Sequence, residues 1–294
     1  MRSADRADAA SDVCVTEHPS ERALLLPCGT DLLVAILALP RAPRARGVLI
    51  VVGGPQYRVG SHRQFVLLAR QLARAGTACL RFDVRGMGDS AGAPRSFESL
   101  DADLHCAIDA FLAHTPGLQE VVLWGLCDGA SAALLSGTRH PCVRGLVLLN
   151  PWVRSEATAA QARLEHYYVE RLLSGALWRK VLRGGFDWRG SLAALAGTVR
   201  SARAAARPPQ APPFQVRMAE GLLGFDGAVL LILSGNDLTG QEFVRLTRSD
   251  PRWREAMARP RLARVDLPEA DHTFSRAAWQ ERVEQATLAW LGAW

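Results

Sequence analysis

At 294 residues, with 49% hydrophobic and 22% charged side chains, the chain can bury one sizeable core and has neither a fibrous nor a disordered composition. No apolar run nears the roughly 18 residues a membrane-crossing helix needs. The net charge of +6 is uneven: residues 151–217 hold eleven basic against four acidic side chains, leaving that stretch at +7 and the rest of the chain at −1. Charge confined to one segment does not suggest a nucleic-acid partner.

The first 20 residues, with MRSADRADAASDVCVTEH at their head, carry acids and no apolar core, which predicts a frayed tail, no secretory signal and a cytoplasmic protein. Leu24–Leu26 and Leu32–Leu37 flank the turn Cys28-Gly29-Thr30-Asp31 and predict a leading antiparallel hairpin. Val48–Val52 is a continuous apolar strand, broken by Gly53-Gly54-Pro55. Ser61 is placed to cap a helix whose Phe65, Leu68, Ala69 and Leu72 recur at helical spacing and which stops at Gly76. Ala78–Val84 predicts another strand and runs into the glycine-rich turn Arg85–Ser90, where Asp89 is read as an acid that holds the loop. Leu104, Ala107, Ile108, Phe111 and Leu112 mark an amphipathic helix.

The most informative stretch is Glu120–Ser131, EVVLWGLCDGAS. A buried strand, the turn Gly125-Leu126-Cys127-Asp128-Gly129 and a run of small residues opening a helix give the context of a nucleophile elbow, with cysteine in the serine position. Its two glycines stand where strand and helix would crowd, and the helix start favours a thiolate and a developing oxyanion. Further strands are expected at Gly145–Asn150, Ala228–Ser234 and Leu262–Leu267, with a short helix over Thr239–Leu246 and a terminal helix carrying Trp279, Val283, Ala286 and Trp290. Strands alternating with helices predict an α/β fold, a mainly parallel sheet flanked by helices, with ligands beyond the carboxyl ends of its strands. Residues 151–217 interrupt the alternation as a helical cap, so the expected organisation is one domain over 21–294 with this insertion.

A nucleophilic cysteine needs a base and a group to orient it. Asp237 follows the strand ending at Ser234, and His272 follows the last strand, so nucleophile, acid and histidine come in the chain order of a hydrolase triad. His62, near the oxyanion loop, is the competing base. The backbone N–H of Asp128 is one expected oxyanion donor. Because Pro55 has no N–H, the other must come from Gln56 or Gly54. Trp152, Tyr168 and Trp178 are candidates to line an acyl pocket. The six cysteines, Cys14, Cys28, Cys79, Cys106, Cys127 and Cys142, include no CxxC pair and no His/Cys group at metal-ligand spacing, so reduced thiols and neither metal nor cofactor are expected.

The stretches GGPQYRVGSHRQF at 53–65, LRFDVRGMGDSAG at 80–92, GLCDGASAAL at 125–134 and ADHTFS at 270–275 resemble the α/β-hydrolase superfamily, and more narrowly the exosortase A system-associated hydrolases of type 1. The resemblance implies an α/β-hydrolase fold with a helical cap and a cytosolic hydrolase encoded beside exopolysaccharide and protein-sorting machinery. The residues themselves suggest attack by Cys127 on an ester or thioester of a small-molecule or carrier-linked acyl group, with acyl transfer or a catalytically silent binding protein as alternatives. An apolar stripe edged by Arg179, Lys180 and Arg183 suits either an acyl pocket or an anionic membrane surface.

Overall fold

The computed structural model describes residues 19–54, 56–154 and 212–293. Most of the expected tail and cap therefore lies outside the described residues, including Tyr168, Trp178, Arg179, Lys180 and Arg183. Eight strands form one sheet in the order β1-β2-β4-β3-β5-β6-β7-β8. They are β1 (Ser20–Cys28), β2 (Asp31–Leu39), β3 (Arg46–Val51), β4 (Cys79–Phe82), β5 (Glu120–Leu126), β6 (Val143–Leu149), β7 (Ala228–Ser234) and β8 (Leu262–Leu267). β1 and β2 form the expected hairpin, β2 pairs antiparallel with β4, and from β4 onward every pairing is parallel.

Both faces of the sheet are covered, which is why the central strands read as unbroken apolar runs. Strand alternation divides each run between two layers. Leu49 and Val51 of β3 and Val121 and Leu123 of β5 join one core with Phe111 and Leu104. Val48, Ile50, Val122, Trp124 and Leu126 join the other with Phe65, Leu68 and Leu72. The first layer contains α2 (Asp101–His114), α3 (Asp128–Leu135), α4 (Phe214–Leu223) and α6 (Pro251–Met257); the second contains α1 (Gln64–Arg74) and α7 (Ala277–Gly292). Trp124 joins the second layer, meeting Phe65 edge-on at 5.7 Å and donating its indole N–H to Thr287 at 3.4 Å.

Some local expectations need correction. Ser61 makes no side-chain cap; it opens a 3₁₀ turn in which His62 and Arg63 take left-handed backbone angles, and α1 starts at Gln64. The helix expected over Thr239–Leu246 is the longer α5 (Leu238–Ser249), with Asp237 as its cap. α6 has a cap and stop signal that passed unread: Asp250 accepts from the backbone N–H groups of Arg252 and Trp253, and Pro251 stands in the first turn. Among the described residues no helix is long and apolar enough to cross a membrane.

Parallel register brings the strand ends level. Val51 of β3 lies beside Gly125 of β5, Leu126 beside Leu149 of β6, Leu149 beside Ile232 of β7, and Ser234 beside Leu267 of β8. Gly53, Cys127, Asn150, Asp237 and His272 thus all emerge along one edge of the sheet.

Candidate active site

Cys127 stands between the last residue of β5 and the first of α3, with φ 57° and ψ −120°. Such a positive φ is strained for a residue with a side chain and persists only where the surroundings fix it. Here they do: its N–H donates to Leu149 O at 2.9 Å, and its carbonyl accepts from Ser131 N at 3.1 Å. The turn closes because its glycines admit backbone on backbone. A Cβ at Gly129 would stand 2.2 Å from Val51 O, and one at Gly125 would stand 2.5 Å from the Gly129 carbonyl carbon.

Asp237 does two jobs. Its carboxylate caps α5 by accepting from Thr239 N at 3.1 Å and Gly240 N at 3.0 Å, and its Oδ2 lies 2.9 Å from His272 Nδ1. Burial would raise the Asp237 carboxyl, but the His272 hydrogen bond and charge and the two cap N–H groups outweigh it, so it is held below the ordinary carboxylate range. The same hydrogen bond, opposed by burial, raises His272 above 6.5. His62, the alternative base, is exposed and lies close enough for its charge to act on Asp271. Asp271 in turn accepts from Ser275 N at 3.0 Å and from the Ser275 hydroxyl, which closes the turn carrying His272.

The Cys127 thiol is pushed up to about 12, first by burial and then by the Asp128 carboxylate beside it. The Asp128 N–H acts the other way, since it faces the sulfur as expected of an oxyanion donor. On the β3 side, Gly54 supplies a backbone hydrogen bond to the Asp128 carboxylate. Gln56 Oε1 is buried and has no hydrogen-bond partner among the described residues, and Pro55 lies outside them. Trp152 is tied to the elbow through its backbone: its N–H reaches Cys127 O at 3.4 Å and its carbonyl accepts from Ser131 Oγ at 2.8 Å. The Arg154 guanidinium sits 5.4 Å from the centre of the Trp152 ring and pairs with Glu242 at 2.8 Å.

Two groups escaped the sequence reading. Asp83, fully buried, accepts from Arg58 N at 2.6 Å, from Asp89 N at 3.0 Å and from the Arg58 guanidinium, so it links the loop after β3 to the loop after β4. Asp89 contributes through a 2.6 Å ion pair with Arg58. Asn150, at φ 42° and wholly buried, accepts from Ser234 N at 2.9 Å and donates to the Ser234 hydroxyl and, at 3.4 Å, to His272 O. It joins the ends of β6 and β7 to the histidine loop. The tolerance of asparagine for left-handed angles was the available signal. Asn150→Ala leaves the Ser234 N–H buried without its acceptor, and should cost about 1–3 kcal/mol in urea unfolding. It should also lower kcat more than it raises KM, because it moves the base rather than the substrate.

Among the described residues no group of three or more His, Cys, Asp or Glu could hold a metal ion. The model of the serine aminopeptidase S33 family matches residues 43–185, just under half of the chain, a span that includes the elbow and ends before Asp237. No curated protein matches. Among solved structures, an esterase from Pyrococcus furiosus is similar at TM-score 0.63 and 14% identity, over 94% of this chain and 93% of its own. A dienelactone hydrolase from Anabaena variabilis is similar at TM-score 0.57 and 18% identity, over 94% and 99%. The ferulic acid-bound Est1E from Butyrivibrio proteoclasticus is similar at TM-score 0.57 and 14% identity, over 92% and 99%. Strand order, strained elbow and these likenesses agree in one conclusion: the chain has the α/β-hydrolase fold.

Proposed function

We propose that the protein is a hydrolase that cleaves an ester or thioester through a cysteine nucleophile. One observation carries the reading: a 2.9 Å His272–Asp237 pair stands on the same sheet edge as Cys127 at its strained elbow. His272, oriented by Asp237, removes the thiol proton. The sulfur lone pair bonds to the acyl carbon, and the carbonyl π pair moves to oxygen opposite the N–H groups of Asp128 and Gly54. Collapse expels the alcohol or thiol with a proton from His272, and water activated by the same base then releases the acid.

Support for a role beside exopolysaccharide and protein-sorting machinery comes from the four stretches that resemble exosortase A system-associated hydrolases. The basic segment with Arg179, Lys180 and Arg183 fits an anionic acyl carrier better than a neutral free ester. A catalytically silent fold is the second reading, and a thiol pushed up to about 12 favours it. The two separate in one experiment: incubation with a nitrophenyl ester and with an acyl-CoA, followed by mass spectrometry of the peptide holding Cys127. An acyl adduct on Cys127 with release of acid is the expected result. Neither adduct nor release from any acyl donor tried would leave the silent fold standing.

A further inference from the structure

The residue after the nucleophile usually matters for its backbone N–H, yet here its side chain has an unusual set of neighbours. Asp128 Oδ1 lies 3.7 Å from Cys127 Sγ and accepts the thiol proton as a hydrogen bond. Gly54, at the other side, hydrogen-bonds to the same carboxylate through its backbone. Oδ2 would stand 3.8 Å from a Cβ at Gly54, and the Asp128 Cβ would stand 2.8 Å from one at Gly53, so the side chain is seated against the loop after β3. His272 acts on it electrostatically from the loop after β8, while Asp237, behind His272, acts on Cys127. Sulfur, Gly54 N–H and histidine are the groups that should surround the oxygen of a bound acyl group, and all three face a carboxylate belonging to the protein. A carboxylate oxygen and a carbonyl oxygen are both acceptors of similar size, and one seat cannot hold both.

We propose that the Asp128 carboxylate is an internal occupant of the acyl-oxygen seat: it holds Cys127 as a neutral thiol in the resting protein and must leave when a substrate carbonyl enters. The inference rests on the reading of Cys127 as the nucleophile. Asp128 takes no proton in this scheme; the thiol proton goes to His272, as above. Its displacement frees Gly54 N–H for the oxyanion and removes the negative charge that opposes the thiolate. Burial also raises the Asp128 carboxyl, against the thiol, Gly54 and His272, so the carboxylate is held in the seat against a desolvation cost that displacement relieves. The same charge disfavours acyl groups that carry a carboxylate next to the scissile carbonyl.

The test is alkylation of Cys127 by iodoacetamide over a neutral to alkaline pH series, read peptide by peptide, in wild type, Asp128→Asn and Asp128→Ala. Cys106 and Cys142, both half-buried, serve as internal controls, since their unchanged rates report an intact fold. Removing the carboxylate should shift the Cys127 profile toward lower pH and speed its alkylation near neutrality by on the order of tenfold or more, as a shift of one pH unit in thiolate formation requires. A rise in Asp128→Ala alone also supports the inference, because the asparagine amide can refill the seat. Unchanged or slower Cys127 alkylation in both variants, with the control cysteines unchanged, overturns it. Because alkylation needs no turnover, the two readings fail separately. A protein that hydrolyses nothing yet shows the rise loses only the proposed function, and Cys127-dependent turnover without the rise loses only the occupant.

Discussion

Cys127→Ala is expected to reduce turnover to background while leaving the fold in place. No other group on the sheet edge replaces the sulfur: His272 is engaged with Asp237, and Asp128 offers a carboxylate beneath the position that the acyl carbon would take. The stability cost should be small, about 1 kcal/mol or less, because Cys127 is half-buried and alanine carries the same left-handed strain as cysteine at φ 57°. Cys127→Ser should keep slow ester cleavage, since the base that serves a thiol can serve a hydroxyl. Steady-state rates and thermal unfolding of both variants check this, and a wild-type rate in Cys127→Ala would remove the mechanism.

His272→Gln should cost on the order of 10³-fold or more in kcat/KM, and Asp237→Asn less, because the acid orients and stabilises a base that still exists without it. The pH dependence carries a second, sharper signature. His272 is raised above its ordinary 6.5 by Asp237, and it must be neutral to take a proton, so the acidic limb of kcat/KM should lie above 6.5. In Asp237→Asn that limb should move to lower pH. Stability runs the other way. The raised His272 contributes fully below its unfolded value and loses that contribution as pH rises through its folded value. The lowered Asp237 contributes above its unfolded value and loses it as pH falls through its folded value. The pair is therefore most stabilising in mildly acidic solution, where the site is least active. A limb that stays in place in Asp237→Asn would show that another group sets it.

Much of this architecture can be read from the chain because its signals are local. Apolar runs such as Val121–Trp124 mark strands covered on both faces, and glycines two residues either side of Cys127 mark a turn without room for side chains. The order of Cys127, Asp237 and His272 likewise suffices to place them on one edge once the sheet is parallel. What escaped depends on contacts between distant segments. Asn150 ends a strand and looks like any polar residue there; its value comes from Ser234 and His272, 84 and 122 residues further on. Asp83 reads as a polar residue near a strand end until Arg58 and Asp89 fold around it. An acid in the first turn of a helix is expected to face its own N–H groups. Asp128 instead faces Gly54, because the loop after β3 packs against the elbow, and the segment around residue 128 alone carries no trace of that loop.

The interlocked backbones of Gly53, Gly125 and Gly129 have a consequence for how the protein can change. Side chains jump between rotamers, repack after substitution and loosen with temperature, but the mount that carries the sulfur is built from peptide planes, which have no rotamers to exchange. Precision at that point is inherited from bond geometry and strand spacing, so substitutions in the remainder of the core should shift the melting temperature without shifting the attacking atom. Conversely, the atom mounted there is separable from its support. Oxygen can be exchanged for sulfur without rebuilding anything beneath it, which makes the choice of nucleophile one of the easiest features of this protein to vary, and the shape of the turn among the hardest.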